Sequence, residues 1–299
     1  MPSDTHQIHE TVKPTLGVIG GSGLYEMPGL LDIDERQVDT PFGSPSGPIV
    51  IGRLEQAGVA FLARHGQGHQ IMPTEVNNRA NIYALKALGV ERIVGISACG
   101  SLRDDYAPGE IVVPDQLFDF TRGRPRTFFG DGLAAHISIP DPFCPDLSKQ
   151  LFEAVQAAGA KVHSGGAMIT IEGPRFSTRV ESNVFRSWGM SLIGMTTSPE
   201  AFLAREAELC YTVMAHVTDF DVWHISDDPV TIEMIVEILH RNTQVAQQAI
   251  KNLARSLQPP SSCACPRALA DALITRRDMI PAATLARLEL LVGKYIGKG

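Results

Sequence analysis

Four short clusters place glycines, hydroxyls or cations directly after apolar segments, where strand ends are expected. They are residues 17–23 with Ser22, residues 62–66 with Arg64 and His65, residues 96–101 with Ser97 and Ala98, and residues 194–200 with Thr196. Backbone N–H groups at such turns can surround an anion, and an arginine fork matches phosphate. A tight turn, a surface ion pair or a helix cap would also explain each cluster alone. Their common chemistry predicts an anion site.

The glycine cluster at residues 17–23 lacks the spacing of two nucleotide-binding motifs. No third glycine follows Gly21-Ser22-Gly23 at the dinucleotide-binding position, and no Gly-Lys-Ser sequence follows as in an NTP-binding loop. A plain strand-to-helix turn and a phosphate site therefore explain this cluster equally well.

A helix N-terminus is predicted next to Thr196. Ser198 before Pro199 is typical of an N-cap followed by proline at the first helical position, and the helix dipole favours an anion there. Capping explains Ser198 but neither Thr196 nor Thr197.

Two carboxylates, Asp219 and Asp221, follow the apolar segment 211–217. In an extended chain, side chains at i and i+2 point the same way, so both could contact one planar ligand that carries donor groups. A turn or a metal site is the alternative. His216 and His224 flank the pair, but no His or Cys spacing supports a metal.

The composition is that of an ordinary globular protein, with 299 residues, 44% hydrophobic and 20% charged. The net charge of -7 argues against nucleic acid as a partner. No apolar stretch reaches the roughly 20 residues that cross a bilayer. The polar N-terminus and five scattered cysteines lead us to expect a cytoplasmic, reducing location.

Short β-branched runs alternate with helix-period segments, which predicts an α/β fold with a mainly parallel twisted sheet flanked by helices. The predicted strands are residues 16–20, 49–54, 59–63, 92–97, 110–113, 161–171, 191–195 and 211–218. A capping box is predicted at Thr178 and Glu181.

A composition break at residues 259–262 divides the chain. We expect a polar extension at 1–14, one catalytic domain at 15–258, and a linker with a helical tail at 259–299. The tail contains Cys263-Ala264-Cys265, which could form a strained disulfide or remain two thiols.

Eight motifs in order resemble those of the 5'-methylthioadenosine phosphorylases, a branch of the trimeric purine nucleoside phosphorylases. The resemblance spans about residues 15–255 and uses 17–24, 39–43, 62–73, 98–102, 142–145, 171–177, 195–197 and 218–221. It implies the purine nucleoside phosphorylase fold and a homotrimer.

The resemblance also implies roles for individual residues. Phosphate would be bound by Ser22, Arg64, His65, Ala98 and Thr196, with Ser97 nearby. The nucleoside would contact Met195 at the ribose, Phe176 at the purine, and Ile232, Ile235 and Val236 at the methylthio group. An ordinary amphipathic helix explains the last three equally well. His136 and Met279 would come from a neighbouring subunit.

The implied reaction is attack of phosphate on C1' of 5'-methylthioadenosine, without metal or organic cofactor. Asp219 and Asp221 would be the catalytic pair, with Asp219 as an acid of raised pKa at N7 of the purine. The alternatives are a phosphorylase for 6-oxopurines or 5'-methylthioinosine, a non-catalytic nucleoside-binding protein, and a nicotinamide enzyme. Two aspartates favour adenine over a 6-oxopurine, which needs a donor.

Overall fold

The computed structural model describes residues 12–24, 26–224, 232–259 and 263–296; for Ser22 and residues 233–241 it describes the backbone alone. The strands of this part of the chain are Leu16–Gly20 (β1), Leu31–Arg36 (β2), Ile49–Leu54 (β3), Ala57–Ala63 (β4), Arg92–Ser101 (β5), Ile111–Val113 (β6), Gln116–Phe120 (β7), Val162–Ser164 (β8), Ala167–Ile171 (β9), Leu192–Gly194 (β10) and Cys210–Asp219 (β11). The α-helices are Asn78–Ala87 (α1), Pro145–Ala157 (α2), Arg179–Ser187 (α3), Thr197–Glu206 (α4), Ile232–Ser256 (α5) and Ala282–Ile296 (α6).

These strands form one mixed sheet in the order β2-β3-β4-β1-β5-β10-β9-β7, while β11 pairs with β5 and leads to β6 and β8. Parallel pairing joins β1 to β4 and β5, β11 to β5, and β9 to β7 and β10. Antiparallel pairing is found at β2-β3-β4, β5-β10 and β6-β11. The predicted fold class, a mixed and mainly parallel sheet flanked by helices, is confirmed.

The central strand β5 is longer than the predicted 92–97. Residues 98–101, which were expected to form a turn of small residues, continue the strand because β11 pairs with residues 98–100 and β10 pairs with residues 100–101. On its other edge β5 pairs with β1 as far as Gly95 and with β10 from Gly100 onward. Between these two contacts, β5 has no strand partner on that edge among the described strands.

Residues 161–171 are predicted as one strand, but the structure divides them into β8 and β9. Gly165 and Gly166 interrupt the run with φ values of +91° and +101°, which side-chain-bearing residues rarely adopt. β2 and β7 are not predicted from the sequence, because their residues are exposed or half-buried and they lack the apolar runs of the inner strands.

Helices cover both faces of the sheet, and β11 is buried along nearly its whole length. A strand covered on both faces needs a mostly apolar sequence, and residues 210–217 are apolar except for Thr212 and His216. The tail helix α6 is confirmed, and Leu288 and Leu291 bury their side chains in the same core as strand β4. The division at residue 259 remains a prediction from composition.

Candidate active site

Arg64, at the end of β4, is the central cation of the predicted anion site, and its guanidinium is buried. Its Nε and Nη2 donate to the two carboxylate oxygens of Glu200 at 2.5 and 3.1 Å. Nη2 also donates to the Ile19 carbonyl, and Nη1 donates to the Ile96 carbonyl. A guanidinium has five N–H groups, so a single N–H on Nη1 is left for another acceptor. The fork that the sequence analysis assigned to phosphate is therefore directed at Glu200.

His65 lies beside Arg64 and is neutral at neutral pH. Burial, followed by the charge of Arg64, lowers the pKa of His65 to about 4. Its Nδ1 lies 2.9 Å from the Ile71 carbonyl oxygen, so Nδ1 carries the proton and donates it there. Nε2 then keeps a lone pair and can accept a hydrogen bond from a protonated oxyanion.

Ser97 and Thr196 meet where β5 lacks a strand partner. Their hydroxyl oxygens are 2.7 Å apart, although the residues are 99 positions apart in the chain. The Ile96 carbonyl faces Arg64 on the open edge of β5, and strand backbone groups alternate between edges. The N–H of Ala98 therefore points to the same open edge.

The two threonines that precede α4 have different surroundings. Thr196 is the N-cap residue and its side chain makes no capping hydrogen bond. Thr197 is fully buried and donates its hydroxyl to the Met168 sulfur at 3.3 Å. Of the pair, Thr196 is therefore the one available to a ligand. Ser198 has the extended backbone of an N-cap, but its buried Oγ makes no capping hydrogen bond.

Asp219 and Asp221 lie together beside Gly100, but the expected extended geometry is wrong. β11 ends at Asp219, and Asp221 has a φ of +49° within a turn. A Cβ placed on Gly100 would lie 3.1 Å from the Asp221 Cβ and 3.3 Å from Asp219 Oδ2. The Asp221 N–H donates to Asp219 Oδ2 at 2.8 Å, and Ser182 donates its hydroxyl to Asp221 Oδ2.

Burial and hydrogen bonding act in opposite directions on the pKa of Asp219. Burial raises the pKa of Asp219 and also that of Asp221. The Thr218 hydroxyl oxygen lies 2.6 Å from Asp219 Oδ1 and 3.1 Å from the Cys99 carbonyl oxygen. One hydroxyl has one proton to donate. The shorter of these two contacts is the hydrogen bond to Asp219, and together with the Asp221 N–H it lowers the pKa that burial raises.

Arg124, which the sequence analysis misses, joins the loops after β9 and β10. Its Nη1 donates to the carbonyls of Met195 and Ser198 at 2.7 and 3.0 Å, and its Nη2 donates to the Glu172 carbonyl at 2.6 Å. Nε contacts the Glu172 carboxylate at 3.2 Å. No local motif marks Arg124 or Glu200, because Arg124 lies 48 residues from Glu172 and Glu200 lies 136 residues from Arg64.

The predicted nucleoside residues lie in different environments. Met195 is half-buried, and Phe176 is 57% exposed on the loop after β9. Ile232 begins α5 and is 67% exposed. The side chains of Ser22, Ile235 and Val236 lie outside the described part of the structure.

His136 and Met279 are both on the surface of this chain. His136 is exposed, and its backbone N–H donates to the Ala272 carbonyl at 2.9 Å. The segment around His136 is thus attached to the tail, which carries Met279 at 65% exposure.

Comparison with known proteins identifies the family to which this arrangement belongs. Residues 15–255 match the model of the phosphorylase superfamily, a span that holds every predicted phosphate residue. The chain belongs to this superfamily. S-methyl-5'-thioadenosine phosphorylase of Geobacter sulfurreducens is 52% identical over 286 residues, which is 95% of this chain and 100% of the relative.

Two solved structures of the superfamily share the fold. Methylthioadenosine phosphorylase from an antarctic soil metagenomic library superposes with a TM-score of 0.89 and 45% identity, covering 94% of this chain and 99% of the other. Methylthioadenosine phosphorylase of Schistosoma mansoni in complex with adenine gives a TM-score of 0.78 and 38% identity, covering 82% and 92%. No helix among the described residues of this chain is long and apolar enough to cross a membrane.

Proposed function

We propose that the protein catalyses the reversible phosphorolysis of 5'-methylthioadenosine to adenine and 5-methylthioribose 1-phosphate. Near-full-length relatives at about half identity carry the name of this activity. The observation that carries the proposal is the arrangement along β5: an anion-type site at Ser97 and Ala98, and a carboxylate pair at Gly100. Two residues of strand separate Ala98 from Gly100 by about 7 Å, which suits a ribose between phosphate and base.

In this proposal the phosphate lies at the open edge of β5 and attacks C1'. The phosphate accepts hydrogen bonds from the remaining N–H of Arg64, the Ala98 N–H and the Thr196 hydroxyl. A protonated oxygen of the phosphate donates a hydrogen bond to neutral His65. The negative charge of the phosphate stabilises the cationic sugar that forms as the glycosidic bond breaks. Holding both reactants in place supplies roughly 7 kcal/mol or more of the barrier reduction.

On the other side of the sugar, Asp219 protonates N7 of the departing adenine. Burial raises the pKa of Asp219, a shift in the direction that a general acid needs. Asp221 accepts a hydrogen bond from the 6-amino group and is oriented by Ser182. A 6-oxo group would place acceptor against acceptor there, which favours adenine.

We infer further that the chain works without metal or organic cofactor in this reaction, acts in the cytoplasm, and assembles as a homotrimer. Shared sites would explain why His136 and Met279 are exposed on the isolated chain.

The test is an assay of adenine release from 5'-methylthioadenosine in buffers with and without inorganic phosphate. We expect adenine release only with phosphate, because the candidate site offers hydrogen-bond donors to an anion. Equal rates without phosphate would mean hydrolysis and would overturn the proposal. Faster turnover of 5'-methylthioinosine or inosine would instead identify a 6-oxopurine phosphorylase.

A further inference from the structure

Four cysteines from distant parts of the chain converge at one place. The Sγ atoms of Cys144, Cys210, Cys263 and Cys265 all lie within 4.8 Å of one another, and those of Cys210 and Cys263 are 3.5 Å apart. Cys144, Cys210 and Cys265 are buried, whereas Cys263 is half-buried.

The cysteines of this cluster come from the main domain and from the tail. Cys144 is the N-cap residue of α2, where the helix dipole stabilises a thiolate, and Cys210 is the first residue of β11. Cys263 and Cys265 belong to the tail, and Cys265 begins a short 3-10 helix. The cluster therefore joins the tail to the main sheet.

We propose that these four cysteines bind one zinc ion as a structural tetrathiolate site. Zinc prefers four thiolates at about 2.3 Å in a tetrahedron, which places the sulfurs about 3.8 Å apart. In the cluster Cys210 and Cys263 have their sulfurs 3.5 Å apart and no pair of sulfurs is more than 4.8 Å apart, so the cluster is of the size that one zinc ion requires. The site departs from the expectation, drawn from the sequence, that the chain holds no metal.

The mutual arrangement of the four sulfurs favours a metal over disulfides. Two disulfides would require the sulfurs to approach in two separate pairs, but here every sulfur is near the other three. All four are free thiols in the structure. A bond between Cys263 and Cys265 would also close a strained ring across a single residue.

Binding requires no oxidant. Four thiols release their protons to solvent, four Zn–S bonds form, and the metal keeps its charge of two. The half-buried Cys263 provides access for the ion. Because the tail contacts the segment that carries His136, the zinc would fix the part of the chain that we propose to complete a neighbouring site.

The experiment measures the zinc content of untagged protein purified from zinc-supplemented cells without chelators. We expect about one zinc per chain in the wild type, less than about one tenth in the Cys263→Ser/Cys265→Ser variant, and full content in Cys99→Ala. Cys99 is the matched control, since it is buried but outside the cluster. Iron in place of zinc, or zinc retained by the double variant, would overturn the proposal.

Two measurements on the unmodified chain keep the test independent of variant folding. Replacement of zinc by cobalt should give the absorption bands of tetrahedral cobalt thiolate. Denatured, unreduced protein should release zinc and show all five cysteines as thiols. Metal-free protein would contradict the proposal, whether it shows five thiols or fewer because of disulfides.

Discussion

At the scale of single residues, Glu200 determines how Arg64 can bind an anion. It accepts two hydrogen bonds from the guanidinium and a third, at 2.8 Å, from the Tyr211 hydroxyl. The arginine is therefore fixed before any ligand arrives, and the proposed phosphate would contact one oriented N–H. A preorganised donor costs little reorganisation when it binds.

Replacing Arg64 by alanine should raise the KM for phosphate about 10- to 100-fold and change the KM for 5'-methylthioadenosine far less. The reason is the loss of one charge-assisted hydrogen bond of roughly 1.5 to 3 kcal/mol. Steady-state kinetics with each substrate varied in turn will measure this. The Arg64→Met/Glu200→Gln variant is the control for folding, because it removes both buried charges. Equal rises in both KM values would contradict a specific phosphate role.

Replacing Asp219 by asparagine should lower kcat about 10²- to 10⁴-fold with 5'-methylthioadenosine, because an amide is a poor proton donor. It should also improve the relative rate with 6-oxopurine nucleosides, to which the amide can donate. The proposed mechanism requires a protonated Asp219, so wild-type kcat should fall as pH rises through its raised pKa. A variant with full activity and unchanged selectivity would refute this role.

At the scale of elements, β5 and the loops beside it set the spacing of the site. Arg124 ties the loop after β9 to the start of α4 through three carbonyl groups.

Arg124→Lys should destabilise the fold by about 3 kcal/mol and raise the nucleoside KM, because one ammonium cannot reach all three carbonyls. Denaturant unfolding and kinetics will test this. Arg126→Lys, at a partly exposed ion pair with Asp119, is the matched control and should change stability by less than about 1 kcal/mol. Equal effects of both substitutions would refute the positioning role.

The buried strand β11 carries a histidine that should make stability depend on pH. Burial lowers the pKa of His216 to about 4, and neither ring nitrogen has a hydrogen-bond partner. In the unfolded chain His216 binds a proton at about pH 6.5, whereas in the folded chain it stays neutral down to about pH 4. The contribution of the neutral imidazole to the free energy of unfolding is therefore complete above pH 6.5 and is lost as the pH falls toward 4. This decrease in the free energy of unfolding approaches about 3 kcal/mol. Thermal unfolding across this range should show a shallower acid limb for His216→Leu than for the wild type. Val217→Ala, at the neighbouring buried position of the same strand, removes no titratable group and should keep the wild-type slope; an unchanged slope in His216→Leu would contradict the prediction.

At the scale of the whole molecule, the exposed positions of His136 and Met279 support a site shared between subunits. Sedimentation should give three times the 32.4 kDa chain mass. Mixing His136→Ala chains with Asp219→Asn chains should restore part of the activity, because a site that joins an intact Asp219 to an intact His136 can then form. Each variant alone is the control. A fully active monomer would contradict the shared site.

The sequence by itself determined the fold class, most inner strands and the tail helix. These follow from local apolar runs, caps and periodicity, and the capping box at Thr178 and Glu181 forms as predicted. It also predicted which strand ends carry chemistry, because glycines, hydroxyls and charges there stand out from the apolar segments. The family resemblance extended this to individual residues, whose roles stay predictions.

Only the tertiary structure decided how those residues are used. Glu200 takes the arginine fork, Thr197 turns inward, and Asp221 reaches the site through a turn. The four cysteines, which are scattered in the sequence, become one cluster. The physical reason is the same in each case: these contacts join residues far apart in the chain, so their formation depends on strand pairing and packing, which local sequence patterns do not encode.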